Sequence, residues 1–264
     1  MRAVCWATIA VLLTAGMAEA RPLRVMSLDQ CGDQYALALA PDADLALSPR
    51  ADDPDSWMRA QARGRRQIRP TLESAIAFRP DVVVRYWGGE PRLLARLEGE
   101  RVKVLTINDA TDFAGVRDNI RTVADGLGQS ERGQALLTRM QTRLAQATPP
   151  TGVVRGSAQY LTAGGFTSGP GTLIDAILKA AGFTNAAKTP GFAPVSVERI
   201  ALFPPARFVL GFFDQPRSDW RGSGRHPVVR KATQGRVAAR LPAATLTCPA
   251  WFAADASAML TAGR

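Results

Sequence analysis

Apolar positions along the chain keep two rhythms. Short apolar runs bounded by turn residues read as buried strands at 23–28, 46–47, 102–107, 153–161 and 245–247. Between them, apolar residues recur at three- and four-residue spacing, which reads as helices at 33–39, 56–62, 91–97, 112–127, 173–181 and 228–234, with a last helix from Ala253. Residues 29–32 read as a turn, 51–69 as an Arg-rich loop around the second of these helices, 162–171 as a glycine-rich turn and 215–227 as a loop. Strands alternating with helices predict parallel sheets.

The longest periodic stretch is 130–147, SERGQALLTRMQTRLAQA. Leu137, Met140, Leu144 and Ala147 form its apolar stripe. Ser130 is placed to cap it, Glu131 suits the first turn, and Thr148-Pro149-Pro150 stops it. At 1.5 Å per residue it is about 27 Å long, enough to cross between two small domains.

A similarity flanks this helix. TLESAIAFRPDVVVRYWGG at 71–89 and SVERIALFPPARFVLGFFD at 196–214 align at one constant offset. Thr71 meets Ser196, Glu73 meets Glu198, Phe78 meets Phe203, Pro80 meets Pro205 and Val84 meets Val209. Each reads as an N-cap, a short amphipathic helix, a proline turn and a buried strand with an aromatic end. Helix–strand units are common enough to look like this unrelated; the alternative is two lobes of like topology. On that alternative the chain divides into a leader at 1–20, a first lobe at 21–128, a connecting helix at 129–148 and a second lobe at 149–264.

Composition narrows the class. The chain has 264 residues, 46% hydrophobic, which suits a soluble protein with ample core. Its N-terminus carries Arg2, an apolar run and the small-residue end Ala18-Glu19-Ala20, the pattern of a secretory signal cleaved after Ala20. Cys5 lies ahead of the apolar run, so no lipid anchor is expected, and an exported, unanchored protein that serves its own cell implies the periplasm. The net charge of +10 is nearly all arginine. An Arg- and Ala-rich genome accounts for it; attraction of an anionic ligand is the sharper alternative. No dense basic run supports nucleic-acid binding. Export permits a disulfide between Cys31 and Cys248, which would clamp the cleft if they lie in opposite lobes; sequence does not show whether their Cα atoms come within about 7 Å.

Catalytic chemistry is thinly supplied. His226 is the sole histidine and precedes Pro227 in a loop, and no nucleophile elbow occurs. A secreted hydrolase-like enzyme using His226 is the alternative from another class. One histidine and two distant cysteines make no closed metal site, so no cofactor is expected and any metal belongs to a chelated ligand. Gly169-Pro170-Gly171-Thr172 runs into a helix start, but lacks the P-loop lysine and reads better as a tight turn with a Thr cap. Tyr86, Trp87, Phe166 and Trp251 each follow a predicted strand beside a Gly or Pro turn, where aromatics offer rigid contact to a ligand in a cleft. Arg50 and Arg85 lie near the same rim and face either an acidic ligand or a local Asp.

With these residues in hand, the chain resembles periplasmic substrate-binding proteins of ABC importers for vitamin B12 and ferric siderophores. The resemblance runs through RVMSLDQCGDQYALAL, IAFRPDVVVRYWGGEPRLLARL, KVLTIND, FTSGPGTLIDAILKAAGFTNAA and LTCPAWFAADA. It implies an α/β fold of two lobes, each with a mostly parallel sheet flanked by helices, joined by one long helix, with the ligand between the lobes and an inner-membrane ABC permease as partner. It places Tyr86, Phe166 and Trp251 on cleft aromatics of the family, and Glu90 and Asp255 nearest its acidic permease-docking residues. Where the family has a further cleft tryptophan this chain has Gln67-Ile68-Arg69, and Arg50 replaces a cleft tyrosine. A less aromatic, more basic cleft leans towards an anionic iron chelate. The expectation is a monomeric receptor, no enzyme, with small closure on binding.

Overall fold

The computed structural model describes residues 21–262 apart from 152, 154 and 216–220. The leader at 1–20, its cleavage point and Cys5 lie outside the described residues. No helix among the described residues is long and apolar enough to cross a membrane.

The first lobe runs β1 (Arg24–Ser27), α1 (Gln30–Leu39), β2 (Asp44–Ala46), α2 (Arg59–Ala62), α3 (Leu72–Phe78), β3 (Val82–Arg85), α4 (Pro91–Gly99), β4 (Lys103–Thr106) and α5 (Phe113–Gly126). Its four strands are all parallel, in the order β2-β1-β3-β4. Next comes α6 (Ser130–Ala147). The second lobe runs β5 (Ser157–Thr162), β6 (Phe166–Ser168), α7 (Leu173–Ala180), β7 (Thr184–Asn185), β8 (Phe192–Pro194), α8 (Val197–Leu202), β9 (Arg207–Gly211), α9 (Pro227–Thr233), β10 (Val237–Leu241) and α10 (Ala253–Ala262). Its main sheet is parallel in the order β7-β5-β9-β10.

The two orders are the same path drawn twice, with β1, β2, β3 and β4 answering to β5, β7, β9 and β10. The duplicated segment falls on α3–β3 and α8–β9. Thr71 caps α3 by accepting from the Ser74 N–H, and Ser196 caps α8 by accepting from the Arg199 N–H. The copies differ in burial. Phe78 is buried beneath the Arg24 guanidinium, 4.7 Å from the ring centroid, while Phe203 is exposed.

α6 forms for the expected reason: Leu137, Met140 and Ala147 are buried and Leu144 packs against the core. Burying each large side chain contributes roughly 1.5–3 kcal/mol. Its start differs. Ser130 is already helical, Gln129 takes the cap position without a side-chain bond, and the Ser130 hydroxyl donates to the Asp125 carboxylate at 2.8 Å. The turn expected at 29–32 is the first turn of α1, because Asp29 accepts from the Gly32 N–H and draws the helix start forward.

Two strands differ from expectation. Residues 245–247 are no strand; Pro242 ends β10, and a 3-10 turn at Ala243–Thr245 follows. The alanine-rich β10 offers little β-branched signal, yet pairs with β9 through a bulge between Val237 and Ala239. The glycine-rich turn at 162–171 holds β6, which pairs antiparallel with β8, across α7 and β7 in the chain, and gives the second lobe a two-stranded ribbon that the described residues of the first lack.

The lobes keep separate sheets but share one core beneath them. Trp251 packs edge-on against Tyr35 of α1 at 5.5 Å, and Phe252 stacks on Trp57 at 5.3 Å. The Tyr35 hydroxyl donates to the Pro249 carbonyl at 2.9 Å. Cys31 and Cys248 are disulfide-bonded, with Cα atoms 5.5 Å apart. The segment that begins α10 therefore belongs as much to the first lobe as to the second.

Candidate functional site

Strand ends of parallel sheets leave their loops at one edge, and here both edges meet across a cleft. Its main chamber is a cavity of about 530 Å³ bounded by Tyr86, Trp87 and Asp109 of the first lobe and by Leu173, Ile177 and Phe192 of the second. Thr247, Cys248 and Pro249 also line it. A side chamber of about 330 Å³, with Gln30, Cys31, Ser48 and Arg50 in its wall, shares Tyr86, Trp87 and Thr247 with the main one. Together they match the volume of a pocket for a drug-sized or larger ligand.

Asp29 builds the aromatic corner. One oxygen of its carboxylate caps α1, and the other accepts from the backbone N–H of Tyr86 at 2.6 Å and of Gly88 at 2.8 Å. Gly88 has to be glycine, since a Cβ there would lie 2.3 Å from the Leu28 carbonyl oxygen. Gly89 follows in the left-handed region at φ 96°. Thus β1 and β3 are stitched where the site begins. Tyr86 donates its hydroxyl to the Asp109 carboxylate, and Trp87 lies edge-on to Tyr86 at 5.5 Å while 70% exposed. Burial, and then the bond to Asp109, push the Tyr86 phenol up to about 12, so it stays a neutral donor at any physiological pH.

The remaining sequence candidates fall elsewhere. Trp251 is 1% exposed and faces inward onto Tyr35 and Phe252, because its ring fills the seam between the lobes. Phe166 is half-exposed on the β6–β8 ribbon, outside the residues lining the cavity. Phe192 on the paired strand supplies the aromatic that faces the main chamber. Arg85 turns back, its Nε donating to the Gly88 carbonyl at 2.5 Å, and braces the corner instead of facing a ligand. Arg50 lines the side chamber but is matched by Asp53 at 2.9 Å and Asp55 at 3.3 Å. Asp55 also accepts from Gln30 and, across the cleft, from Gln215 at 2.8 Å. Among the described residues lining the main chamber, Asp109 is the sole charge. The cleft is therefore apolar where a ligand would sit, which overturns the expectation of a basic one.

Glu90 is exposed at the start of α4. Asp255 is buried and paired with Arg143 of α6 at 2.8 Å, so it ties α10 to α6 and offers no docking surface. His226 caps α9, its Nδ1 accepting from the Val228 N–H at 3.2 Å. Thr172 caps α7, and with Gly171 it lines the cavity as the tight turn expected from the sequence. No group of three or more His, Cys, Asp or Glu able to hold a metal ion occurs among the described residues.

Sequence reasoning missed Phe192 as a lining residue, since it sits on a three-residue strand without periodicity. Asp109 stands just beyond the carboxyl end of β4, among the strand ends where the sequence expects a ligand.

Comparison with known proteins agrees with this architecture. The sequence model of the periplasmic binding protein family matches residues 34–207, well over half of the chain. A cobalamin-binding protein of Halobacterium salinarum is 27% identical over 207 residues, covering 75% of this chain and 56% of that protein. The chain thus spans a little over half the length of that relative. Among solved structures, the periplasmic heme-binding protein BhuT in complex with two hemes superposes with a TM-score of 0.68 at 23% identity, over 91% of this chain and 97% of that one. The periplasmic heme-binding protein HutB of Vibrio cholerae superposes with a TM-score of 0.71 at 16% identity, over 91% and 98%. At these identities the two superpositions speak for the fold.

Proposed function

Because the chain belongs to the periplasmic binding protein family, we propose that it is the receptor of an ABC importer and that its ligand is a metal-bearing tetrapyrrole, a corrinoid or a porphyrin. The observation that carries this is the main chamber itself: about 530 Å³, walled by Tyr86 and Trp87 on one side and by Leu173, Ile177 and Phe192 on the other, with a single carboxylate. Rings and branched aliphatics opposed across a gap suit a broad flat ligand with apolar faces. A siderophore with anionic charge on its chelating core would have to sit against Asp109 with that charge uncompensated, since Arg50 is already paired, whereas a tetrapyrrole carries its charged groups at the ring edge, where they can reach solvent. The cobalamin-binding relative and the heme-binding structural neighbours lend support from outside the chain.

The receptor works in the periplasm after cleavage of its leader behind Ala20, as a monomer, and hands its ligand to an inner-membrane permease. Glu90 is the docking residue on the first lobe. The protein contributes no catalysis: its one histidine holds a helix end. Any metal arrives inside the ligand.

Titration of the mature protein with cyanocobalamin, haemin and an anionic ferric catecholate siderophore, read by calorimetry and by quenching of tryptophan fluorescence, tests this. One tetrapyrrole should bind with a micromolar or tighter Kd, and the siderophore should not. Binding of none of them, or of the siderophore alone, overturns the proposal.

A further inference from the structure

A cavity of about 410 Å³ opens on the second lobe at the carboxyl end of β9, and none of its lining residues lines either chamber of the cleft. Its wall carries three arginines, Arg225, Arg230 and Arg240, together with Phe213 and Thr233, and no carboxylate among the described residues.

Arg225 is pre-set. Its Nη2 donates to the carbonyls of Phe213 at 3.2 Å and Gln215 at 3.4 Å, and its guanidinium lies 5.2 Å from the Phe213 ring centroid. Its Nε is buried and has no partner among the described residues. A buried guanidinium donor left without an acceptor is costly, and the usual resolution is a bound anion or water. Arg230 projects from α9 and Arg240 from β10, two elements that meet at this cavity. No ion pair engages either side chain among the described residues. Asp214, just beyond β9, is committed elsewhere, accepting from the Ala243 N–H with both oxygens at 3.2 and 3.0 Å.

Three like charges gathered round one concavity repel one another unless a counter-charge enters. Guanidinium groups recognise planar or tetrahedral oxyanions through paired N–H donors. We propose that this cavity is a site for a small oxyanion carrying at least two negative charges, of the phosphate or polycarboxylate class, distinct from the ligand cleft. The fixed Nε of Arg225 would orient the anion, and the exposed Arg230 and Arg240 would close on it from two sides.

The test uses the mature protein in calorimetric titrations with inorganic phosphate and with citrate, at constant ionic strength set by potassium chloride. One of the two should bind in the millimolar range or tighter, and which one does so identifies the source. The Arg230→Ala/Arg240→Ala double variant should weaken that binding at least tenfold, while its circular dichroism and its affinity for the cleft ligand stay unchanged. Arg225→Lys, which keeps the charge and loses the fork, should weaken it by a similar factor. No binding of either anion, or equal binding by wild type and double variant, overturns the proposal. So does binding of a polyglutamate peptide when neither small anion binds, which would make the cavity a contact for an acidic protein surface.

Discussion

Cys31 and Cys248 are bonded across the floor of the cleft, joining the first turn of α1 to the segment that leads into α10, 217 residues later. The bond closes a loop that takes in most of the chain, so its main effect falls on the unfolded state. Replacing both cysteines by serine should lower the stability to urea by about 3–5 kcal/mol. Equal urea midpoints for variant and wild type would contradict this.

Trp87 and Trp251 should separate cleanly. Trp251→Ala opens a cavity in the seam between the lobes and should cost about 3–5 kcal/mol of stability. Trp87→Ala, at an exposed position, should change stability by less than about 0.5 kcal/mol yet weaken ligand binding tenfold or more. Thermal melts and titrations of the two variants check both statements, and a reversal of the pattern would place the wrong ring in the site.

Asp33 gives the stability a pH signature. Burial pushes its carboxyl up to about 7, despite the bonds it accepts from the Ser48 hydroxyl and N–H. The folded state therefore holds a proton that the unfolded state releases near pH 4. Stability conferred by that proton is complete below pH 4 and is lost as pH rises towards 7, a fall of a few kcal/mol. Asp33→Asn should flatten urea midpoints measured between pH 4.5 and 8. Asp81, Glu73 and Glu198, held low by their own partners, act in the opposite direction but only at more acid pH. Parallel slopes for variant and wild type would refute the assignment.

Asp29 is predicted to act on ligand binding through the residues it holds. Asp29→Asn replaces one accepting oxygen with a donor facing N–H groups, so either the α1 cap or the Tyr86 and Gly88 contacts must break. A stability loss of about 1–2 kcal/mol should accompany weaker binding. Full-strength binding by the variant would show that the corner holds without it.

Much of this was readable from residue order. The stripe of α6, the Thr71 and Thr172 caps and the duplicated α3–β3 unit are local or periodic signals, and they survive folding as such. Tyr86 and Trp87 were found because a glycine turn after a buried strand puts side chains at a sheet end. Trp251 carried the same outward signs, but no local rule tells whether a ring after a proline points to solvent or back under Tyr35. The partner that decides it lies more than two hundred residues away in the chain. Arg50 and Arg85 looked like ligand contacts until Asp53, Asp55 and the Gly88 carbonyl came within reach of them. The β6–β8 ribbon escaped because three-residue strands carry no period and its two strands are far apart in the chain.

The seam filled by Tyr35, Trp57, Trp251 and Phe252 has a mechanical meaning. With rings packed below and a covalent tie beside them, the halves have no empty joint about which to swing. On such a frame, a membrane partner sensing cargo would have to feel the lips of the molecule, where Trp87 and Phe192 stand free.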